Sequence, residues 1–364
     1  MYLSDKRIVV TLDAGGTNFV FGAWRGDGPV AGPVELPSCP TDLDACIAQM
    51  VKGFSAVIAQ LPERPAAISF AFPGAADHQS GIIGGFSMNF PAFREGVALG
   101  PLLEERFGVP VFINNDGDLY AYGEALAGAL PEVNRRLAEA GSAKRFHNLL
   151  GYTLGTGFGV GIVTEGHLLR GDNSCVETFC LRHKKMPDVV VEDGVSIRAV
   201  KRVYAALSGA DNLHLEPHDI FEIGMGWRAG NRAAAVRAFE ELGEVAGDAM
   251  AIAAALIDGI IVIGGGLTGA AKLFIPALLK EMRSTLRTLA GETTDRLLMK
   301  VYDLDDPQEF ARFAHGEQRP LKVYGTDKEM VYDPHKRIGV MVSHIGATRA
   351  ISLGAYAFAL RSIG

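Results

Sequence analysis

Only four cysteines, Cys39, Cys46, Cys175 and Cys180, occur in 364 residues, too few for the disulfide framework on which many secreted domains depend. Reduced thiols and a cytoplasmic location are the expectation. Positive charge is also in deficit: 35 Lys and Arg stand against 42 Asp and Glu, a formal net charge of −7. That balance argues against a nucleic-acid surface, which needs clustered cations to neutralise phosphates. No apolar run is long enough to span a bilayer, and the first residues lack the apolar core of a secretory signal, so no membrane partner is expected. What the chain does have is hydrophobic residues, 48% of the total beside 21% charged. This is the composition of a globular protein long enough to build two domains with cores of their own.

Glycine is placed where it matters chemically. Apolar residues 8–12 and 19–23 flank Asp13, Ala14, Gly15, Gly16, Thr17 and Asn18, which reads as strand, tight turn, strand. Gly15 and Gly16 let the backbone bend sharply and bring N–H groups close to another molecule. Asp13 ends the first strand with a carboxylate, and Thr17 adds a hydroxyl. A turn of this kind can hold phosphate oxygens on backbone amides while the carboxylate holds magnesium through water; it can equally be an ordinary hairpin. A second copy shifts the balance. Residues 149–163 repeat the design around Leu154, Gly155, Thr156 and Gly157, which suggests a duplicated architecture closing on one polyphosphate.

Between and beyond these hairpins the chain alternates strand and helix. A strand over 32–37 is followed by a helix capped at Thr41 and Asp42, with Leu43, Ile47, Met50, Phe54, Val57, Ile58 and Leu61 at three- and four-residue spacing. A strand over 66–72 leads into an irregular loop over 75–93, then a helix over 95–107 and a strand over 109–113. The polar knot Asn114, Asn115, Asp116, Gly117, Asp118 comes next, ahead of a helix over 119–130. It lies between a strand's carboxyl end and a helix's amino end, where doubly wound sheets meet their ligands. Residues 131–145 read as an exposed charged insertion. In the second half, 165–187 is irregular and polar, helices are expected over 196–207, 232–256 and 272–289, and a strand over 259–263 runs into Gly264, Gly265 and Gly266. Extra strands are expected over 297–345 and a closing helix over 347–361. The pattern argues for two related α/β lobes, 1–115 with 346–364 and 116–345.

The ordered set Asp13 to Asn18, Asn115-Asp116 ahead of Gly123-Glu124, Leu154 to Gly157, and Ile263 to Gly266 resembles the ROK family (repressors, open reading frames and kinases), glucokinase-like sugar kinases of the two-lobed actin-like ATPase, ribonuclease H-like, fold. The resemblance implies that ATP phosphates lie on Asp13, Gly15, Gly16, Thr17, Asn18, Gly155, Thr156 and Gly157. It places the adenosine against Gly264, Gly265 and Gly266, with magnesium at Asp13. It also implies that Asp116 is the catalytic base toward the 6-hydroxyl of a hexose, glucose first among the candidates. A carboxylate at a weakly nucleophilic hydroxyl, with charge absorbed by loops and metal, is the chemistry such a transfer needs. Asn89 in Ser87-Met88-Asn89-Phe90-Pro91, together with Asn115, Asp116, Glu177 and Glu192, is implied as the sugar-binding set. A homodimer is implied as well.

The chain also departs from the family. The usual zinc site, a His after Gly-Glu-Ile-Gly and a Cys-x-Cys-Gly-x-x-Gly-Cys run, is missing, with Cys180 near the place of that His. No structural zinc is expected: His167, Cys175, Cys180 and His183 lack the Cys-x-x-Cys clip, so packing must hold the 165–192 stretch. Asn114 and Asp118 stand where the family usually has Glu and Asn. Fructose, mannose or an N-acetylated amino sugar are alternative substrates. A sugar-sensing repressor is disfavoured because Asp13 leaves no room ahead of it for a DNA-binding domain. A non-sugar actin-like ATPase would have no use for the sugar-binding set.

Overall fold

Alternating burial fixes the first hairpin. Along β1 (Val9–Ala14) and β2 (Asn18–Arg25), Val10, Leu12, Phe19 and Phe21 are buried while Asp13, Asn18 and Val20 face out. The strands pair antiparallel from Val9↔Trp24 to Ala14↔Phe19, so residues 15–17 form the turn. β3 (Gly28–Pro37) extends the hairpin. The computed structural model describes residues 4–73, 76–85 and 90–364. α1 (Leu43–Ile58) starts as expected at Asp42, whose side chain accepts the Ala45 N–H at 3.0 Å. β4 (Ala67–Ala71) follows, then the two-residue pair β5 (Ala76–Asp77) and β6 (Ile82–Ile83), α2 (Leu99–Phe107), β7 (Val111–Asn114) and α3 (Asp116–Ala127).

The chain continues through α4 (Ala129–Glu139), β8 (Leu149–Leu154), β9 (Phe158–Thr164), β10 (His167–Leu168), α5 (Ile197–Ser208), α6 (Pro217–Met225), α7 (Arg232–Ile257), β11 (Ile260–Gly264) and α8 (Ala271–Met282). The hairpin β12 (Thr285–Arg287) and β13 (Thr293–Asp295), β14 (Lys300–Asp303), α9 (Pro307–His315), the hairpin β15 (Arg319–Lys322) and β16 (Glu329–Tyr332), β17 (Arg337–Val342) and α10 (Ala347–Ile363) complete it. One sheet runs β3-β2-β1-β4-β7 and the other β10-β9-β8-β11-β17-β14. In each, the hairpin's first strand takes a parallel neighbour, β4 on β1 and β11 on β8, and a further parallel strand follows, β7 and β17. The duplication inferred from two glycine turns is therefore a duplication of sheet order, with β14 as an added parallel edge.

Two compact units result: Met1–Gly128 with Gly161–Val176 and Ile345–Gly364, and Ala129–Val160 with Glu177–His344. The first unit thus keeps α3 and residues 161–176, beyond the 115/116 division read from the sequence. The reason is close packing. A Cβ on Gly123 of α3 would lie 1.9 Å from the Ala350 carbonyl oxygen, and one on Gly354 of α10 would lie 1.9 Å from that of Leu119. Gly161 comes as close to the start of α3, at 2.2 Å from the Gly117 oxygen. These glycines let the backbones of α3, α10 and β9 touch, and so set where α3 begins. Gly123→Ala is expected to lower stability by about 1–3 kcal/mol, overpacking outweighing better helix propensity; an unchanged thermal midpoint would show that the helices are free to part.

Four local expectations need correction. Residues 131–145 are no exposed insertion: α4 buries Leu130, Val133 and Leu137, with Pro131 in its first turn, where the missing N–H removes no helical bond. The helix expected to 289 stops at Met282, because Leu286 and Leu289 lie exposed in and beside the β12–β13 hairpin instead of on a buried stripe. The helix after the polar knot begins at Asp116, not 119. Residues 297–345 contain α9 as well as strands, and α6 was not foreseen, although the capping box between Glu216 and Asp219 marks its start.

Candidate active site

In the first unit the 15–17 turn has its carbonyls tied from behind. Ser38, fully buried, donates its N–H to the Thr17 oxygen at 3.0 Å and its hydroxyl to the Gly16 oxygen at 2.7 Å. Among the described residues no acceptor takes the N–H groups of Gly15, Gly16 and Thr17. Successive backbone amides without an internal acceptor are able to serve as an anion seat. A Cβ on Gly15 would lie 2.8 Å from the Asn18 oxygen, so the glycine is required by the turn itself. Asn18 donates to Glu35 at 2.6 Å, and Asp13, at the rim, is exposed.

Asn115 is the N-cap of α3: its Oδ1 accepts the Gly117 N–H at 2.7 Å, and the Asp116 carboxyl accepts the same N–H at 2.9 Å. The helix start thereby fixes the direction in which Asp116 points. Its side chain is accessible by surface area yet hemmed in by protein. Desolvation raises its pKa first of all, the Gly117 N–H pulls it down, and the charge of Asp13 adds to the rise. Asp13 is itself raised by desolvation. Two carboxylates thus sit within electrostatic reach of each other, one of them at the edge of the 15–17 turn.

Asp118, one turn into α3, is buried, and desolvation pushes its pKa up to about 7 despite the opposing pull of Arg170. The unfolded chain ionises this group near 3.8, so between about pH 4 and 7 the folded state holds a proton that the unfolded state has released, and the group's contribution to stability falls as pH rises. Asp118→Asn should therefore raise the thermal midpoint more at pH 8 than at pH 5. A gain that shrinks with pH would contradict this.

The second unit repeats the arrangement at 154–157. Ile197 N–H and Arg198 Nη1 donate to the Gly155 and Thr156 oxygens at 2.8 and 3.2 Å, and among the described residues nothing accepts from the N–H groups of Thr156 and Gly157. Glu192 accepts the Phe158 N–H at 3.1 Å and pairs with Arg198 at 3.4 Å; a Cβ on Gly157 would lie 2.7 Å from its Oε2. Here Glu192 braces the turn. The glycine run is brought to the same place: Gly264 pairs with Thr153, and Gly265, at φ 92°, leaves room for a Cβ only 2.4 Å from the Leu154 oxygen.

Glu177 is half-buried at the start of a stretch knit by its own backbone. Leu181 donates to Thr178, Val191 to Leu181 and Glu192 to Phe179. His183 is buried there, its pKa lowered first of all by desolvation, and its Nδ1 accepts the Lys185 and Met186 N–H groups at 3.1 and 3.2 Å. His167 is bonded to Arg361, Cys175 donates to the Asn173 oxygen, and Cys180 is exposed. Asn89 lies outside the described residues. Arg170, which donates to Asn114, and Ser38 were missed in the sequence because neither carries a local motif. Among the described residues no helix is long and apolar enough to cross a membrane.

Comparison with known proteins follows this geometry. The model of the ROK family matches residues 9–303. The glucokinase of Thermotoga maritima is 29% identical over 166 residues, 46% of this chain and 47% of that protein; the chain spans about half the length of that curated relative and 26% of the next. A crystal structure of glucokinase from Parabacteroides distasonis is 58% identical over 99% of both chains, with a TM-score of 0.91. A ROK family glucokinase from Streptomyces griseus, solved with glucose and AMPPNP, is 19% identical over 97% and 99%, with a TM-score of 0.60, a likeness of fold. The two-lobed actin-like ATPase fold expected from the motifs is therefore the fold of this chain.

Proposed function

Because the chain belongs to the ROK family, we propose that it is an ATP-dependent sugar kinase that transfers the γ-phosphate to the 6-hydroxyl of a hexose, with glucose as the preferred substrate. The observation that carries this reading is Asp116, fixed at the first turn of α3 with a raised pKa, within electrostatic reach of Asp13 and its amide-lined turn. A carboxylate so placed can accept a hydroxyl proton as the oxygen attacks phosphorus, and catalysis beyond that is positioning and charge stabilisation. Glucokinase is the name borne by the Thermotoga and Parabacteroides proteins, and the Streptomyces structure contains glucose and an ATP analogue; these support the assignment.

Under this reading the phosphates take the free N–H groups of Gly15, Gly16, Thr17, Thr156 and Gly157, and Gly264, Gly265 and Gly266 border the adenosine. Magnesium fits at Asp13: the carboxylate is exposed, and its repulsion with Asp116 is relieved by a cation. When bound it neutralises phosphate charge. Asn89, Asn115, Glu177 and Glu192 complete the sugar set, Glu192 on leaving its bond to Phe158. The protein then works in the cytoplasm as a homodimer. A panel of glucose, fructose, mannose and N-acetylated amino sugars, assayed for sugar-dependent ATP consumption, tests the reaction. Glucose should give the highest kcat/KM; ATP turnover indifferent to every sugar would end the proposal, and an amino sugar leading the panel would move the substrate.

A further inference from the structure

Two strands of the second unit stand apart from its six-stranded sheet. β15 and β16 pair only with each other, from Arg319↔Tyr332 to Lys322↔Glu329, and every residue of both is exposed. They lie past residue 303, where the family match ends. A lone two-stranded hairpin is marginal in water, yet this one holds out Leu321, Met330 and Val331, the last two 64% and 66% exposed. Its two edges differ. Val323 donates its N–H to the Lys328 oxygen at 2.8 Å, so by alternation Leu321↔Met330 is a hydrogen-bonded pair too, and the backbone groups of Pro320, Lys322, Glu329 and Val331 turn outward. Pro320 has no N–H to offer and Lys322 puts a charge beside it, which blunts the β15 edge. On the β16 edge Glu329 and Val331 keep both backbone groups, and among the described residues no acceptor takes their N–H.

We propose that the β16 edge is an interface with a second copy of this chain, the two strands pairing antiparallel about a two-fold axis through Met330 to make one four-stranded sheet. This deepens the homodimer reading and rests on it for the number of copies. Residues that exchange hydrogen bonds must both face outward, and two axes near the middle of the strand meet that condition, one through Met330 and one through Val331. The axis through Val331 sets Glu329 against Asp333 of the second copy, like charges directly opposite each other, which destabilises a pair. The axis through Met330 sets Glu329 against Val331 and Lys328 against Tyr332, whose ring centre already has the Arg319 guanidinium 5.7 Å away, so the new neighbour is a second cation beside an aromatic face. Met330 then meets its own copy, and the Leu321–Met330 pair of each hairpin joins into one apolar row across all four strands. A single strand serves both sides, as a two-fold interface requires.

The test is the mass of the full chain in solution, measured by sedimentation and by cross-linking at chosen positions. The wild type should be a dimer. Met330→Lys places two ammonium groups at the axis and should raise the dissociation constant by about 100-fold, whereas Leu289→Lys, in the exposed loop of the β12–β13 hairpin, should leave it unchanged. Opposed residues of a non-hydrogen-bonded pair stand about 4.5 Å apart at Cα, within disulfide reach. With Cys175→Ser and Cys180→Ser removing the exposed native thiols, diamide should therefore oxidise Met330→Cys to a disulfide-linked dimer. Val331→Cys, whose two copies are displaced by about 7 Å along the strand, should cross-link at least about 10-fold more slowly. A monomeric wild type would remove the homodimer and this interface together. A dimer that Met330→Lys leaves intact, a dimer lost in Leu289→Lys instead, or cross-linking at 331 as fast as at 330 would overturn the interface and leave the homodimer standing.

Discussion

Asp116→Asn should bind sugar and nucleotide much as the wild type does and turn over roughly 100- to 10,000-fold more slowly, the range that general-base catalysis contributes. Asparagine has the size of aspartate, and its Oδ1 can still accept the Gly117 N–H that orients the side chain at 2.9 Å, so the start of α3 has no reason to move. What is lost is the capacity to take a proton. In the wild type the raised pKa of Asp116, set first by desolvation and then by Asp13, places the acid limb of kcat/KM above the ordinary aspartate range near 4: the base is competent above its pKa and activity is lost as pH falls through it. In the asparagine variant that limb should vanish together with most of the rate. Equilibrium sugar binding measured beside kcat separates the outcomes, since a variant that fails to bind has lost its fold or pocket, and one that binds and turns over near normally would remove Asp116 from its role.

The parts of this site readable in the sequence are those made by adjacent residues. A turn such as Asp13 to Asn18 carries its whole specification in six positions, since glycine frees the backbone and flanking apolar residues set the strands; the same holds for 154–157 and for Asn115 capping α3. What could not be read depends on residues far apart. Ser38 closes the back of the first turn from the end of β3, and Arg170 reaches Asn114 across 56 residues, and neither leaves a pattern in its own neighbourhood. The missed helix α4 is a different case, because Ala129, Val133 and Leu137 do recur every four residues, but a proline and a run of charges obscured the spacing. In α8 the error was reversed: Leu286 and Leu289 continued an apolar rhythm that the backbone does not follow. Periodicity reports a buried face only where a partner surface exists to bury it.

Gly265→Ala should damage both the fold and the nucleotide site, whereas Gly266→Ala, one residue on, should leave the stability of the fold nearly unchanged. Gly265 sits at φ 92° and ψ 172°, a region essentially reserved for glycine, where a side chain costs roughly 1–3 kcal/mol in backbone strain. Its Cβ would also lie 2.4 Å from the oxygen and 2.8 Å from the nitrogen of Leu154, which are backbone atoms at the end of β8 and cannot swing aside as a side chain could. Adding overpacking gives a loss of about 2–5 kcal/mol. If the backbone yields instead, Leu154 moves and takes the 155–157 turn with it, and under the proposed function the KM for ATP rises by about 10- to 100-fold while the KM for sugar changes little. A Cβ on Gly266 meets nothing within 4 Å, so the neighbouring variant adds the same methyl group to the same turn without either clash. Thermal midpoints measured on the pair isolate the contact with Leu154. Equal midpoint losses in the two variants would mean that the glycine run matters for its flexibility alone and that its approach to β8 does not position the second turn.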